Sequence, residues 1–365
     1  MEPSVARYSA VIDEIATRLL TFLRAFEHVQ ETIHFTHIAE AQAQLRAASD
    51  GLFPALTAAL AALDPPPAAA AAHQHLSAAL LAFADATACF VGGHGRDFGQ
   101  AFVASRQAQC RGLALAYAAR AQLPALQPYW LLPSAEARAA AFEQAAPDVD
   151  VAVGLLQRTA TEARAEYALY VPENHDPSTA APLLVCLHGG YGHGNEYLWT
   201  WLRVAKSCGY VLLAPKSQGP TWSMLDPALD IRSVQAMLRE VCTDYNIDRR
   251  RIYLSGLSDG GTFAYMLGFA CAPLFAGIAP IAGVLHPMTD ALLRQKQGIE
   301  VPLLVIHGAL DRIFDVGTVR STCKLLTQLG YQVHYIELPD WGHAYTYTLN
   351  EQRVLPWFEA LPRER

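Results

Sequence analysis

The segment from Ile252 to Leu267 changes from an apolar β-type run into a glycine-rich turn and then into a helix-type run, reading IYLS, GLSDG and TFAYML in its three parts. A strand, a sharp turn and a helix in this order lift one serine hydroxyl above the edge of a sheet. The turn forces Ser258 toward strained backbone angles, so the residues two before and two after it must lack side chains. Because Gly256 and Gly260 occupy those positions, Ser258 is the candidate nucleophile.

Ser255 is a poorer candidate, because Tyr253 and Leu257 stand where the turn would need glycines. The Gly-x-Ser-x-Gly pattern alone is only moderately specific, since glycine and serine are both common residues. Further elements in the required order must therefore support the interpretation.

The chain has two halves with different patterns. At 365 residues it exceeds the usual size of one hydrophobic core. Residues 1–147 are rich in alanine and predict an all-α domain, with a first helix whose apolar residues recur at three- and four-residue steps from Tyr8 to Phe26. Further helices are expected over four stretches, namely 37–63, 73–91, 98–122 and 134–145.

Residues 148–365 alternate short apolar β runs with amphipathic helices, which is typical of an α/β fold with a mostly parallel sheet covered by helices on both faces. The Ser258 turn falls in the middle of the strand series, where open α/β sheets bind their ligands. The predicted strands are 165–171, 183–188, 210–214, 252–256, 277–281, 303–307 and 332–338.

Composition and termini argue against several classes of function. With 27 Lys and Arg against 34 Asp and Glu, the net charge of −7 disfavours a nucleic-acid binder. The amino terminus shows no secretory signal and no apolar run is long enough for a membrane span, so we expect a soluble, cytoplasmic protein.

The seven cysteines form no CxxC pair, and no histidine pair has a third ligand at convincing spacing. We therefore expect neither a metal nor an organic cofactor.

A serine hydroxyl needs an imidazole to take its proton and a carboxylate to orient that imidazole. Asp311 follows the strand PLLVI and is the predicted acid, with Asp315 as a nearby alternative. His343 lies in the loop after the last strand and is the predicted base. Three other histidines are weaker candidates for the base: His286, His307 and His334.

The transition state of such a reaction requires two preorganised N–H donors for an oxyanion. The amide of Asp259 at the start of the helix is one predicted donor. The segment LHGGYG should supply the other, with Gly190 as the leading candidate and Tyr191 as the second. We expect the carboxylate of Asp259 to cap the helix or to contact a polar or cationic substrate group.

These residues resemble the α/β-hydrolase superfamily, and within it the esterases related to polyhydroxybutyrate depolymerase and feruloyl esterase. The resemblance covers about residues 165–345 and rests on four segments, LHGG at 187–190, GYVLLAP at 209–215, IDRRRIYLSGLSDGG at 247–261 and FAGIAPIAG at 275–283. It implies ester hydrolysis through an acyl-enzyme without a cofactor, and its triad matches Ser258, Asp311 and His343. We expect neither the export signal nor the paired cysteines that are usual in secreted members, and the helical half is not part of the family's common core.

Four aromatic residues near the expected site are candidate substrate contacts: Trp199, Trp222, Trp341 and Tyr345. With Tyr191, they suggest small to medium carboxylic esters, including aromatic ones, as substrates; the alternative is that the same residues pack the core. The triad also occurs in serine peptidases, amidases and thioesterases, and a non-catalytic binding protein is a further alternative. The helical half could be a lid, a docking element or the interface of a homo-oligomer.

Overall fold

The computed structural model describes residues 3–143 and 151–362. It divides into two compact units, Met1–Ala139 and Ala140–Arg365. The predicted domain boundary between residues 147 and 148 lies outside the described residues.

The first unit consists of helices. Its first helix buries the apolar stripe that the periodicity predicted, because Ile15, Leu19, Phe22 and Phe26 are at most 1% exposed. The α-helices are α1 (Pro3–Glu31), α2 (Ile38–Ser49), α3 (Leu52–Ala61), α4 (Ala70–Gly92) and α5 (Phe98–Ala118), and 3-10 turns cover Pro67–Ala69, Gly95–Asp97, Arg120–Gln122, Pro124–Tyr129 and Pro133–Phe142.

Two of the predicted helices differ in the structure. The stretch 37–63 forms two helices instead of one, because Gly51 adopts a left-handed conformation with φ 60° and interrupts the hydrogen-bond ladder. The stretch 134–145 is a 3-10 segment with non-helical angles at Arg138 rather than an α-helix, and its last two residues lie outside the described residues.

One helical stretch, Pro67–Gly92, is long and apolar enough to cross a membrane by length and composition, among the residues that the structure describes. Several of its side chains, including Leu76, Leu80, Phe83 and Phe90, are fully buried within the protein. A core helix of a globular domain gives the same pattern.

The second unit is built on an eight-stranded sheet. Strands β1 and β2 pair antiparallel, β2 pairs antiparallel with β4, and the remaining neighbours pair in parallel, in the order β1-β2-β4-β3-β5-β6-β7-β8. The strands are β1 (Gly154–Ala160), β2 (Ala165–Val171), β3 (Ala181–Leu187), β4 (Val211–Pro215), β5 (Ile247–Leu257), β6 (Gly277–Ile281), β7 (Leu303–Gly308) and β8 (Val333–Leu338). All seven predicted strands are present, and β1 is an edge strand that the sequence did not reveal.

Helices connect the strands and complete the unit. They are α6 (Gly194–Tyr197), α7 (Leu202–Cys208), α8 (Ala228–Asp244), α9 (Asp259–Ala270), α10 (Asp290–Arg294), α11 (Val316–Leu329), α12 (Tyr347–Leu349) and α13 (Leu355–Ala360), with a π-turn at Asn350–Val354 and short 3-10 turns at Leu198–Thr200, Ala272–Leu274 and Pro287–Thr289. The predicted fold class, an α/β-hydrolase architecture preceded by a helical region, is confirmed.

The strand order places the functional loops. From β3 the chain passes to β4 on one side, and it returns to β5 on the other side of β3. The loops that leave the carboxyl ends of β3 and β5 therefore diverge, which creates the crevice where open α/β sheets bind ligands. Ser258 directly follows β5, and the glycine-rich segment LHGGYG spans the end of β3.

Candidate active site

The turn between β5 and α9 has the strained geometry that the sequence predicted. Ser258 has φ 60° and ψ −121°, a conformation that side-chain-bearing residues rarely adopt. A Cβ at Gly256 would lie 2.3 Å from Gly260 O, and one at Gly260 would lie 2.3 Å from Leu187 O. Both positions must therefore be glycine, and the turn holds the Ser258 hydroxyl at the carboxyl edge of the sheet.

Three predicted side chains that lie far apart in the sequence meet at this turn. The His343 Nε2 atom is 2.8 Å from Ser258 Oγ. The opposite ring nitrogen, His343 Nδ1, is 2.7 Å from Asp311 Oδ2. With the ring proton on Nδ1 and hydrogen-bonded to the carboxylate, Nε2 is free to accept the proton of the serine hydroxyl.

Asp311 is oriented by its own loop. Its Oδ1 atom accepts hydrogen bonds from the amides of Ile313 at 2.8 Å and Phe314 at 3.0 Å. Burial raises the pKa of the Asp311 carboxyl, but the hydrogen bond and charge of His343 together with these amides outweigh burial, and the pKa lies below its ordinary value. The carboxylate is therefore charged when it faces His343.

The alternative acid, Asp315, has a different role. It is the N-cap residue of α11, and its Oδ2 atom accepts a hydrogen bond from Thr318 N at 2.9 Å. This is the helix-capping function that a carboxylate commonly has at such a position.

Backbone contacts bring the loops of Asp311 and His343 together. Leu310 N donates to Trp341 O at 3.0 Å, and Ala309 N donates to Leu338 O at 2.9 Å. A Cβ at Gly308 would lie 2.2 Å from Trp341 O, so the two chains can approach this closely only at a glycine. No pattern in the sequence indicated this requirement.

The other candidate residues do not contact the Ser258 hydroxyl, although His307 Nε2 lies 3.5 Å from Asp311 Oδ2. His307 is fully buried and its Nε2 contacts Phe314 O at 2.9 Å, His286 accepts a hydrogen bond from Met288 N, and His334 is exposed on β8. Ser255 is fully buried and donates to Ala279 O at 3.0 Å. None of these residues joins the Ser258 and His343 pair.

The predicted oxyanion donors differ in their availability. Among the described residues, the amides of Gly190 and Asp259 make no hydrogen bond, so both can serve an oxyanion. Tyr191 is unsuitable, because its N–H donates to Pro220 O at 2.8 Å. The structure therefore favours Gly190 over Tyr191 as the second donor.

The carboxylate of Asp259 makes no capping hydrogen bond to α9, contrary to the capping interpretation. Its Oδ2 atom instead accepts a hydrogen bond from Thr221 Oγ1 at 2.6 Å. Thr221 lies in the segment after β4, and no sequence motif identified it as part of the site. Only the fold brings these two residues together.

Two of the predicted substrate contacts are buried structural residues. Trp222 is 2% exposed, donates from Nε1 to His188 O at 2.7 Å and stacks on Phe263 with a centroid distance of 4.8 Å. Trp199 is also buried, at 7% exposure. Their large apolar rings are used for packing, which is the alternative that the sequence left open.

Three aromatic residues near the site remain accessible. Trp341 and Tyr345 are partly exposed on either side of His343 along the chain. Tyr191 is 72% exposed and has φ 58°, so a strained backbone presents its ring to solvent beside Gly190. Phe314 contacts the His343 ring edge-on at a centroid distance of 5.7 Å, and sequence reasoning did not identify it.

Within residues 3–143 and 151–362, no group of three or more His, Cys, Asp or Glu side chains is arranged to hold a metal ion. The chemistry available at the site is that of the serine, the imidazole, the carboxylate and the two backbone amides.

Known proteins are similar to parts of this chain. Residues 229–351, which include Ser258, Asp311 and His343, match a family model described as phospholipase/carboxylesterase. A bifunctional acetylxylan esterase/xylanase of Neocallimastix patriciarum is 30% identical over 43% of this chain and 23% of its own length. A "probable feruloyl esterase C" of Aspergillus oryzae is 26% identical over 48% of this chain and 66% of its own length.

A candidate dipeptidyl aminopeptidase IV of Bacteroides ovatus matches the structure with a TM-score of 0.50 and 15% identity, over 58% of this chain and 36% of that chain, which shows a shared fold alone. The chain thus spans less than two thirds of the length of these relatives. The resemblance to feruloyl esterases that the motifs predicted is confirmed.

Proposed function

We propose that this chain, which has the α/β-hydrolase fold and resembles the feruloyl esterases, is a serine carboxylesterase that works through an acyl-enzyme. The observation that carries the proposal is the pair of contacts at His343, 2.8 Å to Ser258 Oγ and 2.7 Å to Asp311 Oδ2. A strained serine with an oriented imidazole beside it is the arrangement that nucleophilic catalysis requires.

The geometry implies the following steps. His343 Nε2 accepts the Ser258 proton as Oγ attacks the ester carbonyl, and Asp311 stabilises the resulting imidazolium. The amides of Gly190 and Asp259 donate to the tetrahedral oxyanion. His343 then returns the proton to the departing alcohol, which leaves an acyl-enzyme. Water, deprotonated by His343, releases the carboxylic acid and restores Ser258.

For the substrate we propose small to medium carboxylic esters with an aromatic acyl group. Three accessible rings, those of Tyr191, Trp341 and Tyr345, support this class, because aromatic side chains favour stacked or edge-on partners. The relative named as a feruloyl esterase supports an aromatic acyl group, and the relative named as an acetylxylan esterase supports a small one. Trp199 and Trp222 are not part of this proposal, since both are buried.

The proposal is tested with a fluorophosphonate probe and a panel of esters. We expect the probe to label the wild-type protein and Ser255→Ala but not Ser258→Ala. His343→Ala should slow labelling by at least about 10³-fold, because the general base is lost. Ser255 is a matched control, since it lies on β5, three residues before Ser258.

In the same experiment, methyl ferulate should be hydrolysed with a higher kcat/KM than an aliphatic methyl ester of similar size. Equal values would remove the aromatic preference and leave the esterase proposal intact. Labelling of Ser258→Ala at the wild-type rate would exclude Ser258 as the nucleophile. Cleavage of an arylamide faster than the matched ester would favour a peptidase or amidase.

A further inference from the structure

The segment after β4 contacts the loop that carries Gly190. We call residues 188–191 the oxyanion loop and residues 217–223 the brace. Ser217 N donates to His188 Nε2 at 3.1 Å, and Trp222 Nε1 donates to His188 O at 2.7 Å. In the opposite direction, Tyr191 N donates to Pro220 O at 2.8 Å. These three hydrogen bonds hold the oxyanion loop at both of its ends.

The brace is itself fixed by a buried carboxylate. Asp230, in the first turn of α8, is fully buried. Its Oδ1 atom accepts from Gln218 N at 2.9 Å, and its Oδ2 atom accepts from Ser223 N at 2.7 Å. A carboxylate near a helix amino terminus is stabilised by the helix dipole. Asp230 therefore ties both ends of the turn that contains Thr221 to α8.

Thr221 extends this connection to the residue after the nucleophile. Its hydroxyl donates to Asp259 Oδ2 at 2.6 Å. A Cβ at Gly190 would lie 2.5 Å from that same oxygen, so the carboxylate packs directly against the Gly190 backbone. The Asp259 side chain thus contacts the loop that carries Gly190, one of the two predicted oxyanion donors. The backbone amide of Asp259 is the other predicted donor.

Among the described residues, the Thr221 hydroxyl is the only hydrogen-bond or ion-pair partner of the Asp259 carboxylate. A negative charge beside a developing oxyanion is repulsive, and the repulsion increases as the two charges approach. The direction in which the carboxylate is held therefore matters for the reaction.

We propose that Thr221 is a positioning residue for the oxyanion hole. Its hydroxyl fixes the position of the Asp259 carboxylate against Gly190, and thereby sets the orientation of the two amide donors. Thr221 does not touch the reacting atoms and acts through Asp259. The inference rests on the proposed function, because it assumes that Gly190 and Asp259 donate to an oxyanion.

The test replaces the threonine by a side chain of nearly the same shape. We expect Thr221→Val to lower kcat by about 10-fold with little change in KM, less than the 10²- to 10³-fold loss seen when a donor is removed outright. The rate of fluorophosphonate labelling should fall by the same factor. Thr221→Ser, which keeps the hydroxyl, should restore both rates to within about twofold of the wild type.

A second variant tests whether Thr221 acts through Asp259. In an Asp259→Ala background, which keeps the backbone amide, adding Thr221→Val should cause no further loss of labelling rate. Independent effects would multiply instead, and a multiplied loss would overturn the inference. Thr327→Val is the matched control, because it removes a threonine hydrogen bond to Cys323 O within α11; its rates should equal those of the wild type.

The labelling rate separates the two proposals. If the wild-type protein is not labelled at Ser258, the proposed function fails and the role of Thr221 falls with it. If the wild type is labelled and Thr221→Val is labelled equally fast, the positioning role alone is wrong. A melting temperature of Thr221→Val within about 2 °C of the wild type would show that a slow rate does not result from unfolding.

Discussion

His188, at the start of the oxyanion loop, carries a neutral imidazole in the interior of the protein. Its Nε2 atom accepts from Ser217 N at 3.1 Å, so the ring proton is on Nδ1, which is 2.7 Å from Gly189 O. Burial lowers the pKa of His188 to about 4. Protonation of Nε2 would place a hydrogen against the Ser217 N–H and break a contact of the brace.

This residue predicts a pH dependence of stability. A histidine whose pKa is lowered on folding binds fewer protons in the folded state, so its contribution is complete above pH 6.5 and is lost as pH falls toward 4. We expect the free energy of unfolding to decrease by about 2 kcal/mol more in the wild type than in His188→Gln between pH 7.5 and pH 5.

Urea unfolding at several pH values measures this difference. Glutamine is chosen because its side-chain oxygen can replace Nε2 as the acceptor for Ser217 N. The pKa values of His175 and His307 are also lowered by burial, so both proteins should lose some stability in acid. If the free energy of unfolding depends on pH in the same way in the wild type and in His188→Gln, the pKa of His188 is not lowered by folding.

At the scale of elements, the turn from β5 to α9 is held by backbone contacts that leave no room for side chains. A Cβ at Gly256 would lie 2.3 Å from Gly260 O and 2.5 Å from Gly260 C. Backbone atoms between a central strand and a helix cannot move aside as a flexible side chain can. The strand, turn and helix therefore form one unit.

Gly256→Ala tests this unit. We expect a loss of about 1 to 3 kcal/mol in the free energy of unfolding, because the added methyl group overpacks the turn, together with slower fluorophosphonate labelling as Ser258 moves. Gly99→Ala is the control, because a Cβ at this helical position meets no atom within 4 Å. That substitution should stabilise the protein by up to about 1 kcal/mol. Wild-type stability and labelling in Gly256→Ala would contradict the steric argument.

The sequence pattern of the edge strand β1 does not predict a strand. Its residues Gln157, Arg158 and Thr159 are polar, and only its two terminal residues are buried. The strand forms because β2 offers a row of backbone groups to which it can pair antiparallel, in a register that places Leu156 opposite Leu169. Edge strands with one exposed face depend on their partner more than on their own hydrophobicity.

At the scale of the whole molecule, a buried ion pair marks the start of the second unit. Lys206 has a side chain that is 2% exposed, and its Nζ atom lies 2.9 Å from both Glu143 Oε1 and Glu173 Oε2. Every proposed catalytic residue also lies within residues 140–365. A fragment that begins at residue 140 keeps the contact with Glu143, and a fragment that begins at residue 148 loses it.

Both fragments should fold and label at Ser258, because the sheet and its core lie within them. We expect 140–365 to be more stable than 148–365 by about 1 to 2 kcal/mol, less than a fully buried broken pair would cost, since Glu173 still pairs with Lys206. Urea unfolding measures the difference. Glu143→Gln in the longer fragment should also lower the free energy of unfolding. Equal stability of the two fragments would show that Glu143 contributes nothing.

The mass of each fragment in solution bears on the helical half. If the full chain is a dimer and 140–365 is a monomer that is still labelled, the helical unit forms the oligomer interface. If the full chain and 140–365 have the same oligomeric state but are labelled at different rates, a lid or docking role is supported.

The sequence by itself determined the α/β pattern, seven of the eight strands, the glycine-flanked serine turn and the identities of Asp311 and His343 as the side chains that meet Ser258. These features depend on local periodicity and on chain order, which are present in the primary structure. Only the tertiary structure decided that Tyr191 N–H is occupied by Pro220, that Trp222 is buried, and that Thr221 holds Asp259. Those facts depend on which loops the sheet order brings together, and contacts between distant segments leave no mark in the local pattern.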